Sequence, residues 1–547
     1  MKKRPSIKKR RTKNDVNSGI SSVDQSNHES VECISSSLSM NIESIKKRTG
    51  HSPDIKFRKV DIGKNSGMKS VIVYVQGLVD EITVTDFIIE SIMNSPRFSS
   101  EIMPQEAIGI ISEEVVSMGG ITTEEKWDSL YLSLLSGDTV IFVEGSNVAL
   151  IASTQGGETR SIQESTTNTV VRGPKEGFTE SITTNIAMVR RIINNPDLWV
   201  ESMKIGSVTN TDVSIMYING IAEKKIVGEI RSRLKKINID SVLESGYIEQ
   251  LIEDGTMTPF PTLHNTERPD VVAGTLLEGS IAIFVDGTPF VLLGPALFIQ
   301  FFQSPEDYYN RFFIASATRF LRIFVFIISL IGPALYVAVT TFDQSMIPTQ
   351  LLIMIAAQRE SVPFPAIVEA LIMEVMFEIL REAGLRMPKA IGSTISIVGA
   401  LVIGQAAVQA GIVSPAMVII VSITAIASFA TPSYSMAISA RLLRFVFMIS
   451  AATFGTYGII MVFILVLVHL CSLRSFGVPY MSPLAPLIPS EVGDTVVRRP
   501  LSGRKARPKL TTADNKIREG EHQKPQAAKD TGMVNAFYQK RGKRGSK

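Results

Sequence analysis

Residues 364–388 read FPAIVEALIMEVMFEILREAGLRMP, and the character of this stretch decides what kind of fold surrounds it. It is apolar enough to sit in or against a bilayer, yet it carries Glu369, Glu374, Glu378 and Glu382. A charge held at bilayer depth costs roughly 2.5–3.5 kcal/mol or more. Glu374, Glu378 and Glu382 recur at i, i+4 and i+8, so on a helix they form one acidic stripe that drifts only about 40° per step, with Glu369 well away from it. The stripe must face protein or water, or be neutralised by Arg381 one turn beyond Glu378.

Around this stretch lie the long uncharged runs of the chain. Ile323 to Phe342 gives a first expected span, 323–342, kinked or stiffened at Gly332-Pro333. Ala390 to Ala440 holds 51 residues without a charge and divides at Ser414-Pro415 into spans 391–413 and 416–438. Phe445 to Leu473 is longer than the roughly 20 residues a perpendicular helix needs. It is read as a fourth span, 445–471, tilted, bent near Gly455 and Gly458, or extending past the membrane. Gly392, Gly399, Gly404 and Gly411 lie on several helix faces and permit close approach of several neighbours, as in a multi-helix assembly. The acidic stretch 345–389, broken by prolines 348, 363, 365 and 388, is expected to be a re-entrant or amphipathic insertion. Four spans keep both basic ends of the chain on one side, as the positive-inside tendency prefers. A fifth span through 362–380 would instead place Arg381, Arg386 and Lys389 inside.

The fold class expected is an α/β N-terminal soluble domain of two related lobes followed by an all-α multi-pass membrane domain, 323–480. Mean hydropathy is +0.20 over 547 residues, but nearly all long uncharged runs follow Asp286. The basic start meets Ser/Asn-rich sequence rather than an apolar core, so no signal peptide is read there. The first thirteen residues hold eight basic side chains and residues 498–547 fifteen against four acidic, which leaves 33 basic and 48 acidic residues between them. Residues 1–66 and 481–547 are read as basic, disordered tails that suit anionic lipid head groups or act as solubilising ends. Nucleic acid is not expected, because neither tail interleaves aromatics with its charges beyond Phe537 and Tyr538.

Within the soluble part the sequence repeats itself. Tyr74-Val75-Gln76-Gly77 matches Tyr217-Ile218-Asn219-Gly220, and LLSGDTVIFVEG (134–145) matches LLEGSIAIFVDG (276–287), at nearly one spacing. The repeat predicts two lobes, 67–155 and 208–295, each with a strand, a helix, an intervening helical stretch and a hairpin, joined by a connector, 156–207, that is helical from Thr183. Residues 296–322 are expected to form an interfacial amphipathic helix, with Tyr308, Phe312, Phe313 and Phe320 beside Arg311, Arg319 and Arg322. The two cysteines imply no disulfide framework, and the five histidines show no metal-ligand spacing. No nucleophile stands beside a base in a recognisable motif, so no enzyme, cofactor or metal is expected.

In chain order, LLSGDTVIFVEG, VRGPKEGFTESITTNIAMVRR (171–191), PFPAIVEALIMEVMFEILREAGLRMP (363–388) and ISIVGALVIGQAAVQAGIVS (395–414) resemble the A subunits of the GerA-type spore germination receptors. The resemblance covers about residues 70–480. One departure is Glu164-Ser165, where the family's pattern has a proline after the glutamate. The resemblance implies a spore inner-membrane protein, with its soluble domain and tails in the spore core, working with a transporter-like B subunit and a lipoprotein C subunit. It also implies a homo-oligomer that conducts ions, for which Glu369, Glu374, Glu378 and Glu382 are the candidate pore or membrane-embedded residues. A secondary transporter, or a membrane scaffold subunit without its own pore, is the alternative.

Overall fold

The structure is a computed structural model that describes residues 33–63, 67–94, 97–98, 103–115, 120–157, 170–387, 402–504, 506–512 and 515–518. Its N-terminal half is an α/β domain with two five-stranded sheets. In the first, β1 (Ile55–Asp61), β2 (Lys69–Val75), β3 (Ile121–Glu124), β4 (Thr139–Val143) and β5 (Ala149–Ala152) are ordered β1-β2-β4-β5-β3. In the second, β6 (Leu198–Ile205), β7 (Thr211–Ile218), β8 (His264–Thr266), β9 (Ile281–Val285) and β10 (Val291–Gly294) are ordered β6-β7-β9-β10-β8. Every neighbouring pair in both sheets is antiparallel. The repeated segments fall on equivalent strands: the Tyr74 and Tyr217 stretches close β2 and β7, and the two IFV segments are β4 and β9. The central strands β4, β5, β9 and β10 are buried at every position, which explains their unbroken apolar runs.

Two expected boundaries move. Residues 33–63 are not tail: Leu38, Asn41 and Ile45 form the buried face of helix Leu38–Arg48, and β1 follows as an edge strand. Apart from Asn41, the polar residues of that helix occupy its outer face. Likewise β6 lies within the expected connector, so the second sheet begins at Leu198. Between the lobes runs helix Ile182–Ile192, whose Ala187 packs into the first core while Ile186, Met188 and Val189 pack into the second. Its Arg190 is fully buried on the Asp54 carboxylate, and Arg48 meets Asp197 at 2.7 Å. The stretch before residue 66 is therefore part of the inter-lobe contact. Glu164-Ser165 lies outside the described residues.

The C-terminal half is helical. Among the described residues two helices are long and apolar enough to cross a membrane, Phe312–Thr341 and Tyr434–Ser472. The expected amphipathic helix over 296–322 is instead a 3-10 turn Phe298–Phe302, a short helix Glu306–Tyr309, and the first turns of Phe312–Thr341 itself. Arg319 faces inward because Asp307 (2.8 Å) and Asp494 (3.0 Å) take its guanidinium, so it is buried rather than on a membrane surface. The stretch 345–389 forms helices Thr349–Arg359 and Ala366–Arg386. Expected span 391–413 lies largely outside the described residues; 402–409 are helical. Expected span 416–438 is cut short: helix Pro415–Phe429 ends before Pro432, and Ser433 caps the next helix by accepting from the Met436 amide.

The expected fourth span bends at Gly455, one of the forms read for it, but the bend is a reversal rather than a kink. Gly455 has φ 61° and ψ −145°, a conformation essentially reserved for glycine, and there the helix folds back on itself. Both ends of Tyr434–Ser472 consequently reach the second lobe: Ser439 donates to the Pro259 carbonyl and His469 meets Thr258 Oγ1 at 2.9 Å. The tip lies against the end of Phe312–Thr341, where the Asp343 carboxylate accepts from the Thr456 amide at 3.0 Å and so caps the return arm. At about 1.5 Å per residue the outward arm, 434–454, is about 31 Å long and the return arm, 456–472, about 25 Å.

The chain beyond 481, expected to be a disordered tail, is described as far as Ile517 and Arg518 and runs as a strap from the helical block to the second lobe. Asp494 accepts from Arg319 and from Tyr308 Oη (3.0 Å), and Arg498 donates to the Asn310 carbonyl (2.7 Å). Further on, Arg504 and Arg518 meet Glu278 at 2.8 and 3.0 Å, and Thr511 Oγ1 donates to the Glu278 carbonyl. Among the described residues, Arg498, Arg504 and Arg518, which counted toward the basic tail, bind the strap to acidic and carbonyl groups.

Two expectations follow for stability. Gly455→Ala must adopt the same backbone with a Cβ 2.9 Å from that of Phe342. It should lower the melting temperature of detergent-purified protein by an amount equivalent to roughly 1–3 kcal/mol, whereas Gly228→Ala, with open space around it, should not. Burial pushes the His264 pKa down to about 4, so the unfolded chain binds more protons between its ordinary value and that point. Stability from this residue is lost as pH falls through that window, and His264→Gln should shrink the loss of melting temperature between pH of about 6.5 and about 4. Glu249 acts in the opposite sense: burial, then the Glu253 and Glu244 carboxylates, raise it to about 7, so its contribution fades as pH rises toward that value.

Candidate functional site

Helix Ala366–Arg386 forms because Ala, Leu, Met and Glu dominate it, and Pro365 immediately precedes it as its N-cap. It carries all four candidate carboxylates, and the structure grades them along its length. Glu369 and Glu374 are fully buried, the Glu378 side chain is 31% exposed and the Glu382 side chain 61%. The grading runs along the helix rather than around it, so Glu369, expected to stand apart, shares its burial with Glu374.

Each carboxylate meets at least one arginine. Glu369 accepts from the Ser414 amide at 2.8 Å, at the N-terminus of helix Pro415–Phe429, and lies 3.4 Å from Arg359 Nε. A carboxylate there is favoured by the free amide and the helix dipole. Glu374 accepts from Arg444 Nη1 at 2.6 Å, both side chains being 2% exposed, while Arg444 Nε donates to the Ser329 carbonyl at 2.7 Å. Glu378 lies between Arg381 (3.2 Å) and Arg441 (2.9 Å), and Arg381 also donates to Ser428 Oγ. Among the described residues Glu382 pairs only with Arg386, near the open end of the helix.

The neutralisation by Arg381 was readable from the sequence. The larger part, from Arg359, Arg441 and Arg444, was not read from it. A signal existed: Arg441 and Arg444 are three residues apart, alone between two long uncharged runs, and three residues apart on a helix is one face. Positive charges isolated in that way need acidic partners.

The arrangement holds four helices at one level, since Glu374 and Arg444 join the acidic helix to the outward arm and to Ser329 of Phe312–Thr341, while Glu369 reaches Pro415–Phe429. Glu374 Oε1 and Arg444 Nη2 each lack a hydrogen-bond partner among the described residues. Elsewhere, a cavity of about 630 Å³ lies where the second lobe, the helical block and the strap meet. Its lining cations Arg322 and Arg504 are matched by Asp307 and Glu278, and burial, with Asp494 and Glu278, raises the Tyr308 phenol above its usual range, so it stays a donor. Among the described residues no three His, Cys, Asp or Glu side chains converge to hold a metal ion.

A family model described as Bacillus/Clostridium GerA spore germination protein matches residues 43–510. The chain is 59% identical over 502 residues to Spore germination protein KA of Bacillus subtilis (strain 168), covering 92% of each. It is 46% identical over 467 residues to Uncharacterized membrane protein YfkQ of the same strain, covering 85% of this chain and 90% of the other. It is also similar to the crystal structure of the N-terminal domain of the A subunit of the Bacillus megaterium spore germinant receptor GerK3. That likeness is at 52% identity, over 50% of this chain and 99% of that one, with a TM-score of 0.41.

Breaking one side of the Glu374–Arg444 pair should destabilise the block by about 3–5 kcal/mol, because it strands a buried charge. Glu374→Gln and Arg444→Met should each lower the melting temperature, and the double variant should recover a large part of the loss. Strict additivity of the two losses would show that the side chains do not act as a pair.

Proposed function

The chain belongs to the Bacillus/Clostridium GerA spore germination protein family, and from that membership we propose that it is the A subunit of a nutrient-germinant receptor in the spore inner membrane. In this reading several copies assemble into a cation-conducting channel that couples nutrient sensing to ion release. The observation that carries it is the grading of the acidic helix: Glu369 and Glu374 lock the bundle, whereas Glu378 and Glu382 are increasingly exposed on a helix packed among span-length neighbours. Lipid would penalise that charged face, and water or a further copy would not.

The helical block is read as multi-pass. The fold-back at Gly455 turns one long apolar helix into two crossings, and large apolar groups such as Phe313, Ile426, Phe454 and Leu465 are exposed to lipid or to partner subunits. The start of Phe312–Thr341 and both ends of Tyr434–Ser472 lie beside the second lobe, which supports placing the soluble domain and both chain ends on the spore-core side. Partners are membrane lipids, further copies of the chain, a transporter-like B subunit and a lipoprotein C subunit. The matching repeat and sheet orders support a duplicated lobe.

A second reading, a scaffold subunit without its own pore, is favoured by the arginine beside every acidic-helix carboxylate. Single-channel recording of the purified full-length protein in bilayers separates the two. The parent should show discrete conductance, and Glu378→Gln with Glu382→Gln should lower cation over anion permeability several-fold without altering assembly. Correct assembly with no conductance supports the scaffold, and saturable flux without discrete events supports a transporter.

A further inference from the structure

Where the return arm leaves the helical block, a second cavity, of about 550 Å³, opens between that arm's end and the second lobe. Arg233 stands on its floor, over the Phe476 ring at 5.1 Å, and is fully engaged: it donates to Glu229 (2.8 Å), to Asp254 and to the Ile252 carbonyl (2.6 Å). Asp254 also accepts from the Gly477 amide at 3.0 Å. Both carboxylates of the cavity are thereby paired with Arg233. Lys225 and Arg474, which also line it and are exposed, have no ion-pair partner among the described residues. Two unengaged cations lining one concavity are the chemistry of a phosphate site.

The rim adds a second constraint. Ser472, which lines the cavity, is the last residue of the return arm, and one and two turns back on the same helix face stand Val468 and Ile464. Both are exposed, as is the neighbouring Leu465. An apolar track therefore runs along the arm and ends at the cationic cavity. A soluble phosphate would use only the cavity; a molecule with an anionic head and a long apolar body fits both.

Resting on the membrane reading of the helical block, we propose that this cavity holds the phosphodiester head group of an anionic phospholipid whose acyl chains lie along Ile464, Leu465 and Val468. The lipid would fasten the second lobe to the bilayer at the end of the return arm, apart from the acidic helix. The test uses the full chain and a Lys225→Gln/Arg474→Gln variant, both reconstituted in nanodiscs of phosphatidylcholine with increasing phosphatidylglycerol. Lipid retained after delipidation is counted by native mass spectrometry. The parent should retain phosphatidylglycerol over phosphatidylcholine, and the variant should lose that preference by about fivefold per cation removed. Equal retention by parent and variant overturns the proposal, as does displacement of the lipid by millimolar inorganic phosphate or glycerol phosphate, which would mark a free-anion site. Recovery of the parent in the aqueous phase without detergent would overturn the membrane reading as well, and it is seen at extraction, before any lipid is counted.

Discussion

The ion pair between Glu374 and Arg444 is the constraint on which the helical half depends. Two charges almost wholly removed from water are tolerable only when they meet each other, and here they do so at 2.6 Å. The contact fixes the height of the acidic helix against the outward arm, and the Arg444 bond to Ser329 extends the level to Phe312–Thr341. With Glu374 Oε1 and Arg444 Nη2 still lacking hydrogen-bond partners among the described residues, the pair is better at specifying register than at adding stability. A shift by one helical turn, about 5.4 Å, would break this contact.

Once that level is set, the outer carboxylates acquire a different character. Glu378 shares its charge between Arg381 and Arg441, and Glu382 has only the exposed Arg386. The exposed Glu382–Arg386 pair is worth about 1 kcal/mol or less, so water, ions or a neighbouring copy can compete for it. One helix thus combines a locked end with an exchangeable one.

The same economy of charge joins the soluble half to the helical half. Asp307, Arg319 and Asp494 form a buried cluster at the first turns of Phe312–Thr341, and the strap carries it on to Glu278 of the second lobe through Arg504. The connection is a chain of buried or half-buried ion pairs rather than a loose linker. The lobes are themselves tied through Asp54 and Arg190.

The sequence by itself determined the elements whose signals are local. Apolar runs, the repeat that falls on β2, β4, β7 and β9, and the two-part division of the chain were all legible, because strand and span cores are continuous in sequence. The stripe of glutamates was legible too, since helical spacing follows from position alone. Only the tertiary structure decided which glutamates are sealed and by what, since Arg359, Arg441 and Arg444 reach them from other helices. It also decided that residues 33–63 and the strap are ordered: their polar composition resembles that of solvated chain, and several of their partners, such as Arg190, Asp197 and Glu278, lie more than a hundred residues away. The fold-back at Gly455 was hidden for a related reason. A glycine within an apolar helix signals permission to bend, and whether the chain uses that permission depends on what meets the tip, here Phe342 and Asp343.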